Sequence, residues 1–217
     1  MKDSLITLSD PNSPAAEAFR TLRTNVIFAG LEKPLNTLLV TSPAAEADKS
    51  LALANLAVVL AQGGRPTILV DCDLRRPRQH EIFGVAAAPG FSEWMTRTET
   101  EAAPTLVSSG VAGLQLLPAG TSSANPADLL TSRRLEVLIA QLKTQAEFVL
   151  FDAPPLLAVS DAALLAANLD GAVLVVSAGA TRREHVQRAK EMLEKIKVRV
   201  VGAVLTNASP EGGLARY

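Results

Sequence analysis

Short apolar runs alternate with longer amphipathic stretches along the chain. The apolar runs predict six strands, at residues 37–41, 67–71, 114–117, 148–152, 172–177 and 198–205. Several of these runs are continuously apolar, as parallel strands are when helices cover both of their faces. The pattern therefore predicts an α/β fold, in which a mainly parallel sheet carries helices on both faces.

The stretches between the predicted strands have helical periodicity. They predict five helices, at residues 14–29, 49–62, 132–145, 161–167 and 181–196. Ser13 and Pro14 give the first helix a good start signal, and Gly63 ends the second. Residues 86–125 are richer in Pro, Gly, Ser and Thr, so we expect a surface excursion there that Trp94 anchors to the body of the protein.

Length and charge limit the classes of protein that the chain can belong to. Its 217 residues, 48% of them hydrophobic, suffice for one sizeable core and are too few for two ordinary domains. We expect one domain at residues 13–207, between an N-terminal extension (1–12) and a flexible C-terminal tail (208–217). The 21 basic and 22 acidic residues nearly cancel, which argues against binding of nucleic acid through bulk positive charge.

The sequence predicts neither export nor a membrane span. The longest uncharged stretch that could pass for a membrane span is residues 51–62, which falls short of the roughly 20 apolar residues that a spanning helix needs. The N-terminus lacks the apolar segment of a signal peptide. A single cysteine, Cys72, allows no intrachain disulfide and no multi-cysteine metal site, which suits a reducing cytoplasm. We expect a soluble protein that reaches a membrane only through a partner.

A Lys-Ser pair after the first predicted strand indicates a phosphate-binding loop. The segment TSPAAEADKSL places Lys49 and Ser50 at the start of a helix. In such a loop, backbone N–H groups surround phosphate oxygens, the lysine neutralises the terminal phosphates, and the hydroxyl ligates Mg²⁺. Alone, this pair is more often the solvated first turn of a helix.

Three aspartates at strand ends support the phosphate loop. Asp71 and Asp73 are separated by one residue after the second strand and are expected to point the same way, and Asp152 ends a later strand. Because ligands of open parallel sheets bind at the carboxyl ends of the strands, we expect these acids beside the Lys-Ser pair. Each aspartate alone is more often a cap or turn residue. Together they would repel one another without a cation, which Mg²⁺ with a nucleotide would supply.

Four motifs of the chain resemble those of the bacterial tyrosine kinases of exopolysaccharide and capsule synthesis. They are DLRRP, FDAPP, LPAG with NPADLL, and EAFRTLR in the first helix. The resemblance spans about residues 13–207 and implies a single-domain P-loop NTPase fold. Related partitioning and septum-placement ATPases share that fold without DLRRP or EAFRTLR. The implied activity is that of an ATP-dependent protein-tyrosine (auto)kinase that regulates the polymerisation and export of the polysaccharide.

The resemblance also implies residue roles at an ATP and Mg²⁺ site. The nucleotide-binding loop would consist of Ala45, Glu46, Ala47, Asp48, Lys49, Ser50 and Leu51. Lys49 would hold the β- and γ-phosphates, and Ser50 would ligate Mg²⁺. Asp71 and Asp152 would hold the metal or its waters, and Asp73 would orient or deprotonate the attacking hydroxyl.

The family's assembly and phosphorylation motifs have counterparts in this chain. Glu17, Arg20 and Arg23 match a Glu-x-x-Arg-x-x-Arg motif through which the catalytic domains form a ring, although an intrahelical salt bridge explains the same spacing. The resemblance implies an integral membrane co-polymerase that activates the ring and holds it at the inner face of the cell membrane. Tyr217 is the one tyrosine, so it is either the phospho-acceptor or an incidental last residue.

The phosphate loop departs from the family pattern. Glu46 and Asp48 stand where the family has glycines, and Leu51 stands where it has threonine. Glycine lets bare backbone approach a phosphate and adopt positive φ, whereas a carboxylate 4–6 Å from a phosphate costs on the order of 3–4 kcal/mol at an effective dielectric near 20. Binding is expected to be weakened if the acids turn outward and lost if they face inward. A pseudokinase that acts as an oligomeric scaffold is therefore the alternative, and an ATPase switch of the partitioning type is a third hypothesis.

Overall fold

Seven strands form one sheet in the part of the chain that the computed structural model describes, residues 5–45, 47–97, 103–121 and 125–208. They are β1 (Thr37–Thr41), β2 (Thr67–Asp71), β3 (Val107–Ser108), β4 (Leu114–Leu117), β5 (Phe148–Asp152), β6 (Gly171–Ser177) and β7 (Val200–Thr206). The spatial order is β3-β4-β2-β5-β1-β6-β7. Neighbouring strands are parallel except β3 and β4.

Helices cover both faces of this sheet. Those in the described residues are α1 (Ile6–Ser9), α2 (Pro14–Glu32), α3 (Lys49–Gln62), α4 (Gln79–Phe83), α5 (Phe91–Thr96), α6 (Pro126–Leu130), α7 (Arg133–Lys143), α8 (Asp161–Ala166) and α9 (Arg183–Lys195). Helices α2, α3 and α4 contribute to the core on one face, and α5 to α9 contribute to the core on the other. The predicted α/β fold is confirmed. No helix within the described ranges is both long and apolar enough to cross a membrane.

Helix α3 is the element that positions the candidate site. Residues 52–61 are all buried, and they pack in the same core as Leu38 and Val40, whereas Leu39 faces the opposite core. This division follows from the alternation of side chains along a strand. Because α3 begins directly after the loop that follows β1, its first residues, Lys49 and Ser50, lie at the carboxyl edge of the sheet.

The observed elements differ from the predicted ones mainly at their ends. Helix α2 continues to Glu32, past the predicted end at residue 29. Strand β7 begins at Val200 rather than 198, because Lys197 adopts a left-handed conformation (φ 60°) that turns the chain just before it. The short α1, α4, α5 and α6 and the two-residue β3 were not predicted, since such short pieces show no clear periodicity.

Two segments are more firmly packed than the sequence predicts. Within residues 86–125, α5 places Phe91 and Trp94 in the core. The prediction of a surface excursion is therefore wrong for this helix, whereas the prediction that Trp94 is its anchor is correct. In the predicted N-terminal extension, Leu5 is fully buried and Thr7 donates its N–H and hydroxyl to the Asn55 side chain (3.1 and 2.9 Å). The predicted domain boundaries at 12, 13 and 207 stay predictions.

Candidate active site

Three neighbouring strands end together at the candidate site. In the sheet, β5 lies between β1 and β2, and Asp152 at its end is in register with Val40 of β1 and Asp71 of β2. The three loops that follow these strands therefore leave the sheet side by side. They carry the phosphate-loop residues, the DLRRP segment and the prolines after Asp152.

Lys49 lies between two of the predicted acids. Its Nζ atom donates hydrogen bonds to Asp73 Oδ2 (2.8 Å) and Asp152 Oδ1 (2.9 Å), and it also donates to Ser50 Oγ (3.3 Å). All three polar partners are buried. Burial by itself lowers the pKa of Lys49, but the charges of Asp152 and Asp73 outweigh it, so the pKa of Lys49 is raised and the side chain is a charged ammonium.

This ion-pair arrangement changes one step of the sequence argument. The predicted cluster of acids needs a cation, and in the structure Lys49 provides it for Asp73 and Asp152. Lys49, Ser50, Asp73 and Asp152 are brought together as predicted, and a cation does lie between two of the acids, although it is the lysine of the chain itself. Compensation by Mg²⁺ with a nucleotide stays a prediction.

Asp71 has a different position from the other two acids. Its carboxylate is fully buried and accepts hydrogen bonds from the backbone N–H groups of Asp73 (3.2 Å), Arg78 (3.0 Å) and Gln79 (2.9 Å). Burial, followed by the nearby charge of Asp152, raises the pKa of Asp71 to about 8, against the lowering effect of the Gln79 N–H. Asp71 thus holds the backbone of the turn that presents Asp73.

Asp71 and Asp73 make different contacts. Asp73 reaches Lys49 and lines the cavity, whereas Asp71 is fully buried and bonds the backbone of the turn that follows it. The expectation that the two side chains point the same way stays a prediction.

Gln79 is a site residue that the sequence analysis missed. Its fully buried side-chain amide donates to Asp152 Oδ2 (2.7 Å) and to the backbone carbonyl of Ser50 (3.0 Å). It therefore joins the acid of β5 to the start of α3. No motif could have revealed it, because the contacts depend on how the turn after Asp73 folds back.

The loop acid Asp48 has an ordinary backbone conformation and two partners. Its φ of −79° shows that this position does not need the left-handed freedom of glycine. Asp48 is the N-cap of α3, where its Oδ1 atom accepts from the Leu51 N–H (3.3 Å) and pairs with Arg78 Nη1 (3.1 Å). Glu46 lies outside the described residues.

A cavity of about 490 Å³ lies beside Lys49, Ser50 and Asp73. Its lining includes the loop residues Ala45, Ala47, Asp48, Lys49 and Ser50, together with Asp73, Arg75, Arg76 and Arg78. Arg75 is held by Asp161 through two hydrogen bonds (2.8 and 3.2 Å). Leu51 is absent from this lining and packs against the core on the α3 side. The cavity has the size of a small-molecule site and a mainly basic rim.

The oxygen donors at this cavity fit a magnesium nucleotide. Among the residues that the structure describes, no group of three His, Cys, Asp or Glu side chains is arranged to hold a metal by itself. Mg²⁺ commonly takes only one or two carboxylates and completes its shell with phosphate oxygens and water. Ser50 Oγ and the Asp73 and Asp152 carboxylates are hard oxygen ligands of this kind.

Comparisons with known proteins identify the family of the chain. The family model ParA, described as a NUBPL iron-transfer P-loop NTPase, matches residues 35–210. The tyrosine-protein kinase YwqD of Bacillus subtilis (strain 168) is 35% identical over 205 residues, which cover 94% of this chain and 86% of YwqD. The chain belongs to the bacterial tyrosine-kinase family. The putative tyrosine-protein kinase CapB of Staphylococcus aureus is 34% identical, with 90% of this chain and 85% of CapB covered.

A solved bacterial tyrosine kinase has the same fold. The kinase domain of the Escherichia coli tyrosine kinase ETK superposes with a TM-score of 0.89 at 30% identity, covering 98% of this chain and 83% of that chain. Membership of the family that the sequence motifs resemble is confirmed, as is its P-loop NTPase fold.

The family's assembly motif has partners within this chain. Glu17 and Arg20 form an exposed ion pair (2.7 Å) within α2, and Arg20 also donates to the Pro11 carbonyl. Arg23 Nη1 donates to the carbonyl of Val59 in α3 (3.2 Å). The alternative explanation, an intrahelical salt bridge, is thus observed for Glu17 and Arg20, and the ring interface stays a prediction. Tyr217 lies outside the described residues, so its role as phospho-acceptor also stays a prediction.

Proposed function

We propose that this bacterial tyrosine kinase uses Mg·ATP to phosphorylate tyrosine on neighbouring chains, and that this regulates the polymerisation and export of a capsular or exopolysaccharide. The observation that supports the activity most directly is the convergence of Lys49, Ser50 and Asp73 at one cavity, with the buried Asp152 bonded to Lys49 behind them. Phosphoryl transfer depends mainly on positioning and charge compensation, and this cluster can supply both.

In the proposed mechanism, Lys49 exchanges its partners when the nucleotide binds. Its ammonium leaves Asp73 and Asp152 and neutralises the β- and γ-phosphates. Ser50 and Asp152 would hold Mg²⁺ directly or through water, and Asp71 would support this side of the site. The metal would supply charge neutralisation at the transferred phosphate.

The release of Lys49 also prepares Asp73 for its proposed role. With the ammonium moved to the phosphates, the Asp73 carboxylate would be free to accept a hydrogen bond from the tyrosine hydroxyl and to take its proton. The tyrosine oxygen would bond to the γ-phosphorus as the bond from that phosphorus to the bridging oxygen breaks, and ADP would leave. The hydrogen bond from the Arg76 N–H to Asp73 Oδ1 (3.1 Å) keeps the carboxylate aimed at the cavity during this exchange.

A calorimetric titration with Mg·ATP, combined with an assay for ADP release, tests this function. Saturable binding with release of ADP and appearance of phosphotyrosine is the expected result. Absence of binding at millimolar nucleotide would contradict the proposal. Saturable binding without turnover would instead support the scaffold alternative, which the replacement of two loop glycines by Glu46 and Asp48 favours.

Tyr217 is the proposed phospho-acceptor, because it is the one tyrosine of the chain. Incubation with Mg·ATP should add a single phosphate per chain at most, and mass spectrometry of the C-terminal peptide should locate it on Tyr217. Tyr217→Phe should abolish tyrosine autophosphorylation while leaving nucleotide affinity unchanged. A phosphate located on another residue would contradict the tyrosine-kinase proposal.

The ring and its membrane partner complete the proposal. Glu17, Arg20 and Arg23 would contact a neighbouring copy, and a co-polymerase with membrane spans would hold the assembly at the inner face of the cell membrane. The exposure of Glu17, whose side chain is 67% accessible, supports a contact with another chain. A cytoplasmic, peripheral location follows from this proposal.

A further inference from the structure

The wall of the nucleotide cavity contains an ion pair that joins two separate segments. Asp48 Oδ1 and Arg78 Nη1 are 3.1 Å apart, although the residues are 30 positions apart in the chain. Both side chains line the cavity, and each is about half exposed. The Arg78 backbone is fixed as well, because its N–H donates to the buried Asp71 carboxylate (3.0 Å).

Asp48 lies where a negative charge should oppose a phosphate. It directly precedes Lys49 and caps α3, and the N–H groups at the start of such a helix are those that bind phosphate oxygens. The carboxylate already accepts the Leu51 N–H, which is one of the donors at the helix start that a phosphate would use. A guanidinium in contact with it cancels that repulsion at short range.

We infer that Arg78 compensates the charge of Asp48 and thereby keeps this glycine-poor phosphate loop able to bind a nucleoside triphosphate. The inference rests on the proposed nucleotide-binding function and assigns Arg78 a positioning role. Arg78 acts on the ligand through Asp48, so its contribution depends on the acid being present. This dependence separates compensation from a direct contact between Arg78 and a phosphate.

A double-mutant cycle with a non-hydrolysable ATP analogue and Mg²⁺ tests the inference in the full chain. The variants are Arg78→Gln, Asp48→Asn and the double substitution, and calorimetry gives the dissociation constant of each. Arg78→Gln should weaken binding about fivefold or more at low salt, and the loss should shrink at high salt because the pair is half exposed. In the Asp48→Asn background, Arg78→Gln should change affinity less than about twofold.

Arg65→Gln provides a matched control. Arg65 forms a half-exposed ion pair with Glu147 (2.7 Å) beside the starts of β2 and β5, at the opposite edge of the sheet from the cavity. The Arg65→Gln variant loses the same charge as Arg78→Gln, but at a position away from the cavity. It should therefore leave the dissociation constant of the analogue unchanged.

Several outcomes would overturn the inference. The first is that Arg78→Gln weakens binding of the analogue equally in both backgrounds. The second is that Arg78→Gln leaves the affinity unchanged, including the case in which it lowers only the melting temperature. A wild-type chain that does not bind the analogue would contradict the proposed function itself, whereas the other outcomes leave nucleotide binding intact.

Discussion

At the scale of single residues, Lys49 holds the site together through its bonds to two acids. The ammonium joins the acid that ends β5 to the acid that follows β2, and all three side chains are buried. Under the proposed function, a nucleotide would therefore compete with two carboxylates for the same lysine. Part of its binding energy would be spent on separating these ion pairs, which would lower its affinity.

Replacing Lys49 should affect stability as well as binding. Lys49→Met leaves the Asp73 and Asp152 carboxylates buried without their cation, and removing one partner of a buried ion pair costs about 3–5 kcal/mol. Denaturant unfolding should show this loss, and nucleotide binding should disappear. Lys190→Met, which removes one partner of an exposed pair with Glu194, should change stability by less than about 1 kcal/mol. Unchanged stability in Lys49→Met would contradict the buried ion pairs.

Gln79 should matter for the position of Asp152. Gln79→Leu keeps the volume but removes the hydrogen bonds to Asp152 and to the Ser50 carbonyl, and a buried hydrogen bond to a charged group contributes about 1.5–3 kcal/mol. We expect a lower kinase rate and a higher Mg²⁺ concentration for half-maximal rate. Gln62→Leu, at an exposed position near the end of α3, should leave both unchanged. An unchanged Mg²⁺ dependence in Gln79→Leu would contradict this role.

At the scale of elements, the sequence predicts α3 and the ends of β1, β2 and β5 correctly, because continuous apolar runs and the Gly-Gly stop after α3 identify them. Those elements bring Lys49, Ser50, Asp73 and Asp152 together. The turn after Asp73 carries no such pattern, since its shape depends on backbone N–H groups that bind Asp71. For this reason the contacts of Gln79 and the pairing of Arg78 with Asp48 could not be predicted.

Helix α5 is joined to the loop after β4 by one carboxylate. Glu93 accepts hydrogen bonds from the N–H of Gly90 (2.7 Å) and from the N–H and hydroxyl of Thr121 (2.7 and 2.6 Å). Burial alone raises the pKa of Glu93, but the hydrogen bonds from Thr121 and Gly90 outweigh it, so the pKa of Glu93 is lowered. The charged form of Glu93 therefore stabilises the folded state.

The pH dependence of stability should show this contribution. Because the pKa is lower in the folded than in the unfolded state, the stabilisation is present above the ordinary carboxyl range and is lost as the pH falls through the folded-state value. Glu93→Gln should lower the free energy of unfolding near pH 7, and its difference from the wild type should shrink towards pH 3. Exposed Glu32→Gln serves as the control. A difference that does not vary with pH would contradict this account.

At the scale of the whole molecule, one end of the sheet and the helix beside it are partly uncovered. Strand β7 ends the spatial order, and a groove of about 550 Å³ lies between it and α2. Near the other end of α2, Phe28 and Leu31 are 61% and 76% exposed. The residues of the proposed assembly motif belong to the same helix. Arg23 also bonds to α3, so its replacement would disturb the fold and the assembly together.

Glu17 gives the cleaner test of the ring. It is exposed, and within the described residues its side chain makes one surface ion pair, so Glu17→Ala should change the free energy of unfolding by less than about 1 kcal/mol. Light scattering coupled to size-exclusion chromatography should nevertheless show a lower mass than for the wild type. Glu32→Ala removes another exposed acid of α2 and should keep the wild-type mass. Wild-type assembly in the Glu17→Ala variant would contradict the proposed interface.

The placement of the Lys49 ammonium has one more consequence, for the order in which ligands enter. The ammonium balances one of the two carboxylate charges of Asp73 and Asp152, which lowers the attraction of this site for a free divalent ion. Under the proposed function, a bound triphosphate would draw the ammonium away from these acids and would increase their attraction for the metal that accompanies it. Metal and nucleotide would then load as one complex.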